Sequence, residues 1–260
     1  MKLTRALALM LICVSLIFSS ISFASAQEVS YPKQYNSPAE YSKATGKEIT
    51  ELNEAPMLAE LVKAGELPPV EKRLPSGPLV IEPTEEIGHY GGTAKIMHAN
   101  PQNAEDGVNI GGKEAILAFD PEDGSTILPN LAKSWTFSED GKTLTLELRE
   151  GIRWSDGHPF TADDIEFWWE DVILNDELTP VKPKVWQPGG ELMKLEKTGP
   201  YSVRLQFAVS YPAALIQLAA WGTEGDFFLP KHYLQQFHIK YNPQANELAK
   251  KEGFNSWYEL

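Results

Sequence analysis

Four ionisable side chains that could serve as acids, bases or metal ligands lie close together in the stretch REGIRWSDGHPFTADDIEFWW, residues 149–169. They are Asp156, His158, Asp163 and Asp164. Catalysis by a pair of carboxylates needs both to face one reacting atom, with their pKa values driven apart. Asp163 and Asp164 do not meet this requirement, because neighbouring side chains on a helix diverge by about 100°. The pattern therefore disfavours a catalytic pair.

The local sequence offers these residues structural roles instead. Asp156-Gly157 is a turn dipeptide. Thr161 stands where a helix N-cap is expected, and Asp164 follows three positions later, as in a capping box with Asp in place of Glu. Both carboxylates of the first helical turn are favoured by the exposed backbone N–H groups there. We interpret His158 as a surface turn residue and the whole stretch as a scaffold.

The first 26 residues have the organisation of a secretory signal peptide. Lys2 and Arg5 precede the apolar stretch ALALMLICVSLIF, and small residues follow it up to Ala26. We expect export to the periplasm with cleavage after Ala26. The only cysteine, Cys13, lies inside the apolar stretch behind an isoleucine, where a lipoprotein signal would need a small residue. The mature chain is then expected to have neither disulfides nor thiol chemistry.

The charge balance excludes some partners. The 260 residues include 23 Lys and Arg against 36 Asp and Glu, a net charge of −13. Removal of the signal peptide makes the chain more negative, since that segment holds basic residues and no acids. An acidic chain without a Lys/Arg cluster is poorly suited to nucleic acids or anionic membranes, so we expect no nucleic-acid partner.

Two β-hairpins are the clearest secondary-structure signals. In the first, Trp135 and Phe137 alternate with polar residues before Asp140-Gly141, and leucines alternate over residues 144–148 after it. The second is predicted from residues 192–196 and 201–207. Its turn is placed at Thr198-Gly199-Pro200, and Tyr201, Val203, Leu205 and Phe207 are assigned to one face.

Four segments are predicted to be helical because apolar residues recur at helical spacing. They are residues 161–175, 211–221, 229–238 and 246–260. The apolar stripe of the first consists of Ile165, Trp168, Trp169, Val172 and Ile173. Strands that alternate irregularly with helices predict a mixed α/β architecture.

Residues 27–83 are predicted to form an extended amino-terminal arm that wraps the core. They are polar at first, with a weak helical pattern around residues 57–62. Residues 65–83 are rich in proline, which neither continues a helix nor fills a central strand. The Gly91-Gly92 stretch that follows has the pattern of a strand running into a polar loop.

The stretch LAKSWTFSEDGKTLTLELREGIRWSDGHPFTADDIEFWW, residues 131–169, resembles the signature of the family 5 extracellular solute-binding proteins. These are the oligopeptide-, dipeptide- and nickel-binding components of bacterial ABC importers. The matching positions are Ser134, Trp135, Asp140, Gly141, Leu148, Arg149, Gly151, Ile152, Trp154, Asp156, Gly157, Pro159, Phe160, Thr161, Ala162, Asp163, Asp164 and Ile165. Residues 229–242 are also similar to the family, and residues 55–75 resemble a subgroup with a longer amino-terminal arm.

The resemblance implies an α/β fold of the periplasmic binding protein type, in which ligand lies in a cleft between two lobes. The signature builds the first lobe, with hairpins in a mixed sheet and flanking helices. Because family members are considerably longer, residues 84–260 are expected to be an incomplete first lobe of a truncated chain. The apolar Trp257, Tyr258 and Leu260, in a predicted helix without a cap, favour the same interpretation.

The resemblance places ligand contacts in loops that leave the first-lobe strands, above all in residues 98–109. The candidate ligand-binding residues of this loop are neutral donors and acceptors: His98, Asn100, Gln102 and Asn103. A second candidate is Trp221, whose flat apolar face can pack on a sugar ring or a peptide side chain. The alternative for residues 98–109 is a solvated polar loop without ligand contacts. The alternative for Trp221 is packing in the core.

We expect no metal and no cofactor. The five histidines show no pairing with a carboxylate at metal-ligand spacing. Gly91-Gly92 and Gly111-Gly112 lack the strand–loop–helix context of a phosphate loop. Neutral polar side chains together with abundant tryptophan favour an oligosaccharide or an oligopeptide over a metal ion.

The sequence thus predicts the substrate-binding component of an ABC importer, a monomer that captures oligopeptides or oligosaccharides in the periplasm and delivers them to permease subunits in the membrane. It performs no chemistry, and ligand shifts an open–closed equilibrium through tighter contacts in the closed state. A glycosidase-like secreted hydrolase is one alternative, with Glu105 and Asp106 near Glu224 or Asp226 and carboxylates about 5–10 Å apart. A nonfunctional fragment of a binding protein is the other.

Overall fold

The computed structural model describes residues 31–93, 95, 114–220 and 227–260. In it the amino-terminal arm consists of short strands and helices. Strand β1 (Lys33–Tyr35) pairs antiparallel with β2 (Val80–Glu82). Between them lie three helices, α1 (Pro38–Thr45), α2 (Pro56–Ala64) and α3 (Val70–Arg73). The chain from Pro32 to Leu260 forms one compact unit, and all elements described here belong to it.

The arm is therefore more structured than a purely extended segment. α2 confirms the weak helical pattern, and it begins at a proline, which suits the first helical position. α1, which the sequence analysis did not identify, begins after Ser37, whose hydroxyl accepts from the backbone N–H of Glu40 at 3.2 Å. The proline-rich stretch contains a single helical turn, α3, since prolines stand on both sides of it.

A hairpin and a four-stranded sheet form the core. The hairpin pairs β3 (Leu117–Phe119) with β4 (Ile127–Pro129). The sheet has the strand order β5–β6–β8–β7 and consists of β5 (Ala132–Phe137), β6 (Thr143–Leu148), β7 (Lys194–Gly199) and β8 (Ser202–Gln206). All strand pairs among the described residues are antiparallel.

Both predicted hairpins are present. β5 and β6 pair around Asp140-Gly141, as predicted. In the second hairpin β7 continues to Gly199, so the turn lies at Pro200-Tyr201 and not at Thr198-Gly199-Pro200. Gly199 pairs with Ser202, so only two residues remain in the turn, one fewer than predicted.

The centre of one face of the sheet is fully buried. Leu144 and Leu146 of β6 pair with Leu205 and Val203 of β8, and none of the four is exposed to solvent. Burial of each such side chain contributes about 1.5–3 kcal/mol. The alternation of polar and apolar residues in the sequence thus marks the true inner face.

The first predicted helix changes its winding halfway. α4 (Ala162–Phe167) continues as a π-helical segment, Trp168–Ile173. Ile165, Trp168, Trp169 and Ile173 of the predicted stripe are buried, whereas Val172 is only half-buried. Phe167, which the stripe did not include, is also buried, so three consecutive aromatic side chains face the interior. α4 packs against β7.

The remaining predicted helices are shorter in the structure. They are α5 (Ala214–Ala219), α6 (Lys231–Leu234) and α7 (Ala245–Lys251). The prediction of one helix over residues 246–260 is wrong, because the backbone leaves the helical conformation at Gly253. Trp257 instead turns inward, 5% exposed, with its ring centroid 4.6 Å from that of His238.

No helix among the residues that the structure describes is long and apolar enough to cross a membrane.

The turn of the first hairpin should tolerate no side chain at Gly141. Its φ is +66°, and a Cβ there would clash with the hydroxyl group of Ser210. We expect Gly141→Ala to lower the free energy of unfolding by about 2–4 kcal/mol, from backbone strain and the clash together. Urea denaturation followed by circular dichroism measures the loss.

Gly124 provides the matched control, since its φ is +64° and a Cβ there would meet nothing within 4 Å. Gly124→Ala should lose only the strain, about 1–2 kcal/mol. Equal losses for the two variants would contradict the close approach of Ser210 to the turn.

Candidate functional site

The five candidate ligand-binding residues lie outside the described part of the chain. They are His98, Asn100, Gln102, Asn103 and Trp221. The same holds for the carboxylates of the hydrolase alternative, Glu105, Asp106, Glu224 and Asp226. What the structure describes is the framework that flanks these two segments.

The two candidate segments are attached to neighbouring elements. β3 follows the first segment in the chain, and α5 precedes Trp221. β3 and α5 pack against each other. Leu117 on β3 and Leu218 on α5 are buried, at 0% and 2% exposure. The strand that follows the first segment and the helix that precedes the second therefore pack together through apolar side chains.

The residue that follows the second candidate segment, Phe227, packs in an aromatic cluster. Phe227 is buried, and its ring centroid lies 4.8 Å from that of Trp168 and 5.3 Å from that of Trp186. These separations lie within the range of favourable aromatic pairs. The cluster fixes the residue that follows the second candidate segment.

Hydrogen bonds fix the residues that follow the first segment. The Asn130 carboxamide N–H₂ donates to Glu114 Oε1 at 2.5 Å and to the Ala115 carbonyl at 2.8 Å. The Ala132 N–H donates to the Ile116 carbonyl at 2.9 Å. The exit of the first candidate segment is thus held by the chain just before and at the start of β5.

The predicted capping box is confirmed. The Asp163 N–H donates to the Thr161 hydroxyl at 3.2 Å, and the Thr161 N–H donates to Asp164 Oδ2 at 2.9 Å. Asp163 faces outward, where Lys197 Nζ lies 2.5 Å from its Oδ1. The two adjacent carboxylates therefore point to different partners, as expected for neighbouring residues on a helix.

The Asp164 carboxylate is buried and fully engaged in structural hydrogen bonds. It is 3% exposed, and besides the cap it accepts from Trp154 Nε1 at 3.3 Å and from the Lys231 N–H at 3.1 Å. Burial raises its pKa above the ordinary value, while the hydrogen bonds act in the opposite direction. Its donors come from three separate segments, so this carboxylate holds the fold together and presents nothing to a substrate.

Asp156 and His158 lie at the surface, as the sequence analysis predicted for His158. The His158 N–H donates to Asp156 Oδ1 at 2.9 Å, and His232 Nε2 lies 2.7 Å from Asp156 Oδ2. These contacts hold the pKa of Asp156 below its ordinary value, with the backbone bond as the largest cause. The His158 ring stacks on that of His232, with centroids 3.9 Å apart. Asp156, His158, Asp163 and Asp164 thus each have a structural partner.

Within the described ranges, no group of three or more His, Cys, Asp or Glu side chains is arranged to hold a metal ion. A groove of about 700 Å³ lies between the arm and the core, and it opens beside Glu114. The arm residues 74–79 form one wall, and Ile152, Trp154 and Phe228 belong to the other.

Comparison with solved structures defines the class of fold. An oligopeptide-binding protein OppA matches 87% of this chain with a TM-score of 0.77 and 41% identity, and 35% of that protein is covered. The periplasmic binding protein MelB of Agrobacterium fabrum C58, solved in complex with stachyose, matches 78% of the chain with a TM-score of 0.58 and 30% identity, over 34% of its length. The chain has the fold of the periplasmic binding proteins.

Sequence comparison defines the family. The model of the bacterial extracellular solute-binding proteins, family 5 (middle part), matches residues 126–256. The periplasmic alpha-galactoside-binding protein of Rhizobium meliloti (strain 1021) is 36% identical over 234 residues, which are 82% of this chain and 33% of that protein. The chain belongs to family 5 of the bacterial extracellular solute-binding proteins. It spans about a third of the length of these relatives.

The helix cap should contribute to stability and not to ligand binding. Thr161→Ala removes the hydroxyl that accepts from Asp163, and we expect the free energy of unfolding to fall by about 1 kcal/mol. Thr161→Ser keeps the hydroxyl and should lose little. Denaturant unfolding measures both. A selective loss of ligand affinity in Thr161→Ala, with unchanged stability, would instead place Thr161 in the binding site.

The buried carboxylate predicts a pH dependence. Because the folded pKa of Asp164 is raised above its ordinary value of 3.8, the folded state binds this proton more tightly than the unfolded state. The contribution of Asp164 to stability is therefore largest at low pH and falls as pH rises through the raised pKa. The carboxamide of Asp164→Asn does not titrate in this pH range. The unfolding free energy of wild type minus that of Asp164→Asn should decrease from about pH 4 to about pH 7.

Urea denaturation of both proteins across that pH range measures this difference. An increase of the difference with pH would mean that the hydrogen bonds outweigh burial and that the folded pKa is lowered.

Proposed function

We propose that this chain is part of the substrate-binding component of a bacterial ABC importer, and that its ligand is an oligosaccharide of the α-galactoside type. The observation that carries the ligand class is the 36% identity to an alpha-galactoside-binding protein over 82% of the chain. The likeness to a protein solved with stachyose, at a TM-score of 0.58, supports the same class.

The second candidate is an oligopeptide. It rests on one observation, the TM-score of 0.77 and 41% identity to an oligopeptide-binding protein. Both ligands are neutral or nearly neutral chains that offer hydroxyl or amide groups, which suits neutral donors and acceptors in the binding residues. The two candidates differ in the ligand and not in the mode of action.

The domain organisation belongs to the same proposal. Residues 1–26 are the signal peptide, cleaved after Ala26, residues 27–83 the arm and residues 84–260 the first lobe. The exported protein acts in the periplasm as a monomer, has no nucleic-acid partner and performs no reaction, and it releases its ligand to permease subunits in the membrane.

Ligand contacts come from His98, Asn100, Gln102, Asn103 and Trp221. The packing of β3 against α5 supports this assignment, since it gives the two segments that carry these residues a common base. Polar side chains would bond to ligand hydroxyl or amide groups, and the indole would cover an apolar ring face.

Titration calorimetry with the full-length protein tests the proposal. The protein is unfolded and refolded to remove bound ligand, and is then titrated with stachyose and, separately, with a tetrapeptide. Heat from stachyose alone supports the oligosaccharide, and heat from the tetrapeptide alone supports the second candidate. Binding of neither would overturn both. Release of sugar from a chromogenic α-galactoside, abolished in Glu224→Gln, would establish the hydrolase instead.

Trp221 gives a sharper prediction for the site. Trp221→Ala should weaken stachyose binding about tenfold, the effect of losing about 1.4 kcal/mol of contact with the indole face. Trp221→Phe keeps a flat aromatic ring and should retain most of the affinity. Calorimetry on the two variants measures the difference, and equal affinities of Trp221→Ala and wild type would place this residue outside the site.

A further inference from the structure

A single buried cation connects the arm to the core. Arg149 is 5% exposed, and its guanidinium donates to the Asn36 carbonyl at 2.8 Å, to Asn36 Oδ1 at 2.6 Å and to the Gly77 carbonyl at 2.5 Å. Its Nε donates to the Asn130 carbonyl at 3.2 Å. These acceptors are all neutral oxygens. Since a buried charge is costly without such partners, the arm is required to solvate Arg149.

The arm also contacts the segment 129–133 directly. The Gln34 carboxamide donates to the Pro129 carbonyl at 2.6 Å, and the Asn36 carboxamide donates to the Lys133 carbonyl at 2.9 Å. Together with Arg149, these bonds fix the segment at both ends and in the middle. The arm therefore contributes to the position of this segment, in addition to its strand contacts in the core.

The opposite side of the same segment holds the residues that follow the first candidate loop. Asn130 bonds to Glu114 and Ala115, and Ala132 bonds to Ile116. Asn130 thus accepts from Arg149 through its backbone carbonyl and donates to Glu114 and Ala115 through its side chain. A continuous path of hydrogen bonds runs from the arm to the exit of the loop.

The arm also approaches the core too closely to shift without breaking this path. A Cβ at Gly151, whose φ is +92°, would lie 3.1 Å from Pro75 Cα. The Ser76 N–H donates to the Glu150 carbonyl at 3.2 Å. These backbone contacts hold the arm close to the core beside Arg149.

We propose that Asn36, Arg149 and Asn130 are positioning residues through which the docked arm fixes residues 114–116, and that this support is needed for ligand binding. The effect on the segment rests on the described contacts alone. The effect on ligand rests in addition on the proposed function. Asn36→Ala keeps the backbone carbonyl but removes Oδ1, so it leaves the buried Arg149 Nη2 without this acceptor and weakens the contact between the arm and Arg149.

Hydrogen exchange in the full-length protein tests the first part. Asn36→Ala and Asn130→Ala should each raise amide exchange in a peptide that covers residues 114–119 about threefold or more. Exchange in residues 194–206, on the far strands of the sheet, should remain at the wild-type level. Asn36→Asp keeps an oxygen facing Arg149 but loses the donor to the Lys133 carbonyl, so it should restore protection in part.

Thr161→Ala is the matched control, because it destabilises the protein through a cap that touches none of these residues. It should not raise exchange in residues 114–119 selectively. If Asn36→Ala leaves that peptide at the wild-type level, or if Thr161→Ala raises it equally, the positioning role is overturned.

Titration with stachyose tests the second part. Asn36→Ala and Asn130→Ala should each weaken its binding about threefold or more. The affinity of the double variant should be about that of the single variant that binds less tightly, because residues on one path do not act additively. Raised exchange with unchanged stachyose affinity would overturn the link to the ligand loop. Raised exchange when wild type binds neither stachyose nor the tetrapeptide would uphold the positioning role and overturn the proposed function.

Discussion

The buried carboxylate of Asp164 is the interaction on which the described fold depends most. It receives N–H groups from the start of α4, from the indole of Trp154 and from the start of α6. Taking this charge out of water costs free energy, as the raised pKa shows, so the fold is favourable only when all three segments deliver their donors. The carboxylate thereby selects one arrangement of elements that are distant in sequence.

Arg149 imposes the corresponding constraint on the opposite charge. The residues 131–169, which carry the resemblance to family 5, contain both buried ions, the capping box and the tight turn at Gly141. These features stabilise the fold, and their side chains contact other residues of the described framework. A shared signature whose residues are engaged by structural partners is compatible with relatives named for an α-galactoside and for oligopeptides.

The features predicted correctly from the sequence are those set by neighbours in the chain. The hairpin at Asp140-Gly141 and the cap at Thr161 depend on residues within a few positions. The stacking of His158 on His232 and the docking of Asn36 on Arg149 join residues far apart in sequence, and no local pattern encodes them. The helix predicted over residues 246–260 was wrong for a local reason, since the helix ends before Gly253, whose φ is +93°. The ligand-binding residues were assigned by resemblance and remain predictions.

This division between local and distant contacts bears on how the binding site is built. The bases of both candidate segments are fixed by groups that do not themselves belong to the proposed ligand contacts: the β3–α5 interface, the aromatic cluster at Phe227 and the Asn130 carboxamide. Side chains within the segments can therefore change without loss of the support that positions them. Under the proposed function, in which the two segments carry the ligand contacts, one framework can accept different neutral ligands, since stability resides in the elements that carry the loops.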